Sequence, residues 1–124
     1  MFVKISNKKN KKTLGREGEW CVVEFLDKEG YMILERNYNT DFGEIDIIAE
    51  HKGILVLVEV KTRSSLDYGL PCMAVDRRKI EHIKRCGWVY MRSRQRNWNG
   101  IRVDIAEVLV RDGRFFVRHL KGVA

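Results

Sequence analysis

Cysteine is scarce in this chain and follows no pattern. The three cysteines, Cys21, Cys72 and Cys86, include no Cys-x-x-Cys pair. An odd number at such spacings argues against a disulfide framework and against a zinc site. They read instead as reduced thiols of a cytoplasmic protein. Long apolar runs are also lacking. None approaches the roughly 20 residues that cross a bilayer, and no apolar signal segment follows the basic N-terminus. No membrane partner is therefore expected. Proline occurs once, as Pro71, within a polar connection from Ser64 to Pro71. There is no internal repeat, no low-complexity core segment and no second domain in view.

Acidic residues are in deficit: 17 Asp and Glu stand against 24 Lys and Arg, giving a net charge of +7. That balance points to a polyanionic partner, for which nucleic acid is the default. A basic ribosome-associated or membrane-surface protein would share the same composition. The length of 124 residues suits one domain with a real core, and 44% hydrophobic with 33% charged residues is ordinary for a globular chain.

What is present is organised around Gly43 to Arg63. Two apolar runs, Gly-Glu-Ile-Asp-Ile-Ile-Ala-Glu and Ile-Leu-Val-Leu-Val-Glu-Val-Lys-Thr-Arg, flank His51-Lys52-Gly53, which predicts a hairpin. Ile54 to Val60 reads as a central strand with both faces covered. Charges at its far end, Glu59 and Lys61, and Glu44 and Asp46 on the facing strand, are costly unless paired or bound. With a two-residue Lys52-Gly53 turn, His51 pairs with Ile54, Asp46 lies opposite Glu59, and Glu44 opposite Lys61. A three-residue loop with Gly53 left-handed is equally good turn chemistry. Without a bulge it would put Asp46 and Glu59 on opposite faces. In the first register two carboxylates repel, and a divalent cation would relieve them. Oxygen donors suit Mg2+ or Mn2+.

Around this hairpin, Met1 to Lys12 reads as a basic arm, either solvated or touching phosphates through residues such as Lys11 and Lys12. A helix is predicted from about Thr13, a plausible N-cap, to Glu29, stopped by Gly30. It gathers Gly18, Val22, Phe25 and Leu26 on one face, with Glu19 on the flank and Glu17 and Glu24 toward solvent. Glu19 reads either as a site carboxylate or as an edge contact favoured at a helix start. A strand from Tyr31 to Tyr38 precedes a turn at Asn39 to Gly43. A second helix runs from about Met73 to Arg92, with Asp76 near its start and Ile80, Ile83, Gly87 and Tyr90 inside. Lys79 lies on the inner side, with Arg77, Arg78, Lys84 and Arg85 outside or flanking. That arginine excess is either a solvated face or a phosphate-facing surface. Ile101 to Val110 and Arg114 to Leu120 close the chain around Asp112-Gly113. Arg102 and Asp104 share a face and are expected to pair. The order αβββαββ predicts an α/β fold, a mixed central sheet flanked by helices.

Asp46 followed by Glu59-Val60-Lys61 resembles the Asp…Glu-x-Lys core of the restriction-endonuclease-like nucleases. The longer match is to Gly15-x-x-Gly18-Glu19, Arg36-Asn37, Gly43-Glu44-Ile45-Asp46, Val58-Glu59-Val60-Lys61-Thr62-Arg63, Lys79 and Arg102-x-Asp104. These stand in the same order as in the YraN family, small bacterial proteins similar in fold to archaeal Holliday junction resolvases. The resemblance covers nearly the whole chain after Lys12, as a single nuclease-like domain. It implies a restriction-endonuclease-like fold and a metal-dependent nuclease acting on DNA, including branched DNA, with a homodimer as one arrangement. Asp46 and Glu59 would hold the metal, helped by the Val60 carbonyl. Lys61 would orient water and stabilise charge on phosphorus. Glu19 would complete the site, and Arg63 with the second-helix bases would contact nucleic acid. Two other readings stand beside it: a nucleic-acid-binding module without catalysis, and a basic scaffold binding protein through outward-facing Trp20 and Trp88.

Overall fold

A computed structural model describes residues 2–6, 14–63 and 77–123. In chain order the elements are β1 (Val3–Ser6), α1 (Leu14–Lys28), β2 (Met32–Thr40), β3 (Gly43–His51), β4 (Ile54–Arg63), α2 (Arg77–Arg94), β5 (Gly100–Arg111) and β6 (Arg114–Leu120). The sheet order is β1-β6-β5-β4-β3-β2. The β4–β5 pair is parallel and every other pair antiparallel. The mixed α/β class is as expected, but the order is βαβββαββ, because the first residues of the supposed arm form a strand. Val3-Lys4-Ile5-Ser6 alternates apolar and polar, and Val3 and Lys4 pair with Val117 and Phe116. This covers the backbone edge that β6 would otherwise present. Lys11, Lys12, the Thr13 cap, the Ser64–Pro71 connection and Asp76 lie outside the described residues.

The Ile54–Val60 run does make a central strand. Its side chains alternate between two cores, Val56 and Val58 entering the one beneath α1, Leu55 and Leu57 the one beneath α2. Two glycines let the helices come close to this strand. A Cβ on Gly18 of α1 would overlap the Thr62 hydroxyl, and one on Gly87 of α2 would lie 2.5 Å from Leu57 Cδ1. Helix α1 ends as its sequence asks: Gly30 takes φ 91°, the Tyr31 N–H reaches the Leu26 carbonyl at 2.9 Å, and the Gly30 N–H reaches that of Asp27 at 3.1 Å. Glu17 and Glu24, expected in solvent, are half-buried. Among the described residues no helix is long and apolar enough to cross a membrane.

The hairpin uses the two-residue turn. His51 pairs with Ile54, and Lys52 and Gly53 carry positive φ of 51° and 82°, the pattern whose twist matches the strands. At the other end of the α1 face, Arg102 and Asp104 pair as expected, at 2.9 Å. Asp104 is fully buried; burial alone would raise its pKa, but His119, Arg102 and the Gly122 N–H together hold it below the usual carboxylate range. These contacts tie the C-terminal residues to β5.

Candidate functional site

The β3–β4 ladder stops at Ile47↔Val58. Beyond it β3 stays paired with β2 down to Thr40↔Gly43, while β4 stays paired with β5 up to Arg63↔Leu109. The two central strands therefore part, and the charged residues of the hairpin sit in the fork. The backbone is irregular beside the fork. Asn37, on β2 between the partners of Ile45 and Ile47, is left-handed with φ 52°. Across it the strand changes face: Ile47 enters the α1 core and Ile45 the α2 core, although a regular strand would keep both on one side. Asp46 lies at that crossover.

Asp46 Oδ2 accepts the Val60 N–H at 2.8 Å. Its carboxyl also feels Glu59 as a neighbour, although the β3–β4 pairing ends at Ile47↔Val58, one step short of the Asp46–Glu59 pair that the two-residue register predicts. Burial, above all, and the neighbouring Glu59 and Glu19 charges push Asp46 up to about 7, against the Val60 hydrogen bond that lowers it. Glu59 is buried, and two ammonium groups converge on its Oε2, Lys79 at 2.5 Å and Lys61 at 3.9 Å. Lys79 is raised by its hydrogen bond to Glu59 despite some desolvation. Glu19 reaches this group from α1. Its pKa is raised by desolvation, opposed by Arg36 at 3.8 Å and by Asn37, and it feels Glu44 and Glu59.

The expected Glu44–Lys61 pair does not form among the described residues. Glu44 is exposed and sits against Asn39 of β2, because the strands have separated before reaching it, and Lys61 turns to Glu59 instead. Val60 meets the site through its N–H, a contact that the expected carbonyl ligand does not describe. Among the described residues no three His, Cys, Asp or Glu stand close enough to form a ready metal cage; Asp46 and Glu59 are a pair.

A family model described as Uncharacterised protein family UPF0102 matches residues 18–108. The chain belongs to this family. Among its UPF0102 relatives, a protein of Dictyoglomus thermophilum is 43% identical over 82% of this chain and 86% of its own length. One of Caldanaerobacter subterraneus is 46% identical over 82% and 83%. Another, of Syntrophomonas wolfei, is 41% identical over 86% and 93%. The UPF0102 match runs from Gly18 to Val108 and so takes in Glu19, Asp46, Glu59 and Lys61 together.

In this UPF0102 chain the basic residues of α2 divide. Arg78 and Lys79 line a cleft of about 360 Å³ with Phe42, Gly43, Glu44, His82, Ile83 and Cys86. Arg77 and Lys84 line a different depression, with Ile80, Glu81 and Val123. Arg85 is exposed and Arg63 half-buried. Trp20 and Trp88 do face outward, at 45% and 57% exposure. Sequence reasoning passed over Glu107, which is buried in register beside Lys61 and bonded to Arg118 at 2.7 Å. A lone glutamate within an apolar strand was the available signal.

Proposed function

We propose that this chain is a nuclease that hydrolyses phosphodiester bonds in nucleic acid, with DNA the expected form, on a restriction-endonuclease-like fold. The observation that carries the reading is the nearness of the Asp46 and Glu59 carboxyls in the fork between β3 and β4, with Lys61 and Lys79 beside them. Two acids this near suit a divalent cation such as Mg2+ or Mn2+, since their donor atoms are oxygen and a cation would offset both the burial of Asp46, which chiefly raises it, and the lesser repulsion from Glu59. Asp46 and Glu59 would hold it. When bound, such a cation neutralises phosphate charge and acidifies water.

The chain's own residues do the rest. The Val60 N–H fixes the Asp46 carboxyl in orientation. Lys79 holds Glu59 from one side, which leaves Lys61, at 3.9 Å, the looser of the two ammoniums. Lys61 is placed to orient a water and to meet charge developing on phosphorus. Glu19, half-buried nearby, supplies a further carboxylate at the edge of the site. The surplus of positive charge attracts the polyanion. A cytoplasmic location and a homodimer are parts of the same proposal.

A specific observation favours a second reading, nucleic-acid binding without cleavage: Lys79 already neutralises Glu59, and no third donor completes a cage among the described residues. The deciding experiment is a cleavage screen on single-stranded, duplex and branched substrates with Mg2+ or Mn2+ against chelator. Metal-dependent cleavage supports the nuclease. Salt-sensitive binding with no cleavage across the screen supports the binding module.

A further inference from the structure

An aromatic ring stands at the mouth of the basic cleft. Phe42 is 46% exposed, in the turn that joins β2 to β3. A single exposed apolar side chain is ordinary. Two observations set this one apart.

The turn that carries it is fastened in place. Thr40 Oγ1 accepts the Phe42 N–H at 3.0 Å and lies 3.2 Å from the Gly43 carbonyl. The same hydroxyl is 3.0 Å from Cys86 Sγ on α2, and that thiol reaches the Gly43 carbonyl at 3.6 Å. The turn is thus locked to the helix, so Phe42 needs little ordering when a ligand arrives.

The surroundings are also matched to one kind of ligand. Arg78, Lys79 and His82 line the cleft beside Phe42, with Glu44 the acid among them. The Arg85 guanidinium stands over the Phe42 ring, 6.0 Å from its centroid, so a base would stack on the ring's other face. A flat apolar ring beside cations fits a nucleobase with its phosphates. Bases inside a duplex have both faces covered by neighbours, so a free face belongs to an unpaired or terminal base.

We propose that Phe42 is a base-stacking residue that receives an unpaired base of a bound strand while Arg78 and Arg85 contact the flanking phosphates. The proposal rests on the nucleic-acid reading above and adds a substrate class to it: strands with unpaired bases next to Asp46 and Glu59.

The test is fluorescence anisotropy of the full chain in chelator, with a labelled single strand, a duplex bearing an unpaired overhang, and a closed circular duplex that has no terminal base pair. Phe42→Ala is expected to weaken the first two about tenfold more than the third, the scale of removing one base stack. Phe42→Leu keeps apolar bulk without a flat ring and should lose the same discrimination, while Phe42→Trp should restore it. All three variants should melt with the parent, because the turn's hydrogen bonds use no Phe42 side-chain atom. Equal weakening on all three probes, or none on any, overturns the stacking role while leaving the nucleic-acid reading intact. A parent that binds none of the probes overturns both.

Discussion

Asp46 Oδ2 accepts the Val60 N–H across the point where β3 and β4 part. A side chain has taken the place of a backbone acceptor there. The strands can open without orphaning that donor, which would cost about 1–3 kcal/mol if left buried and unpaired. The same contact turns the Asp46 carboxyl toward Glu59.

That arrangement predicts a stability that depends on pH. The folded Asp46 pKa is raised from 3.8 to about 7, so between those values the folded chain binds more protons than the unfolded one. Its contribution is fully present below pH 3.8 and is lost as pH rises through about 7. In chelator, the melting temperature of the parent should therefore fall as pH climbs through that window relative to Asp46→Asn. Added Mg2+ should reverse the trend by replacing the proton. Parallel parent and variant curves would show that burial does not perturb Asp46.

Cleavage should depend on the carboxylate pair. Asp46→Asn and Glu59→Gln keep shape and remove ligand charge, and each should lower the rate by at least about two orders of magnitude. Affinity in chelator should hold or rise slightly. Lys61→Ala should abolish turnover and leave metal binding in place, as read by isothermal titration. Well-folded variants that cleave at the parent's rate would place any activity elsewhere.

Affinity for nucleic acid should fall steeply with salt. Cutting off Met1 to Lys12 is a poor way to test the arm, because it would remove β1 and bare the β6 edge. Changing Lys8, Lys9, Lys11 and Lys12 to Gln keeps the strand. The slope of log affinity against log salt should then shrink by about 0.9 for each duplex phosphate that the arm no longer neutralises. An unchanged slope would make the arm a solvated tail.

Gly18 should tolerate no side chain. Gly18→Ala drives a Cβ into the Thr62 hydroxyl, and overpacking of this kind costs about 1–3 kcal/mol. Thr62→Ala in the same chain should recover part of the stability in a denaturant melt. Because Thr62 follows Lys61 on β4, the single variant should also disturb the site.

What the sequence determined alone were the features set by near neighbours. Apolar periodicity placed both helices and the central strands, Gly30 the helix stop, Asp112-Gly113 the last turn, and Arg102-x-Asp104 a pairing across one strand face. The Asp46, Glu59 and Lys61 set was legible because the hairpin that joins them is local. Tertiary structure decided the rest, since it depends on partners distant in the chain. Strand β1 exists because β6 has an edge to fill more than a hundred residues later. The choice between two hairpin registers appears only in the pairing of His51 with Ile54. Lys61 faces Glu59 rather than Glu44 because β3 and β4 part beyond Ile47 and Val58, and no alternation of side chains along one strand reports where its neighbour leaves it.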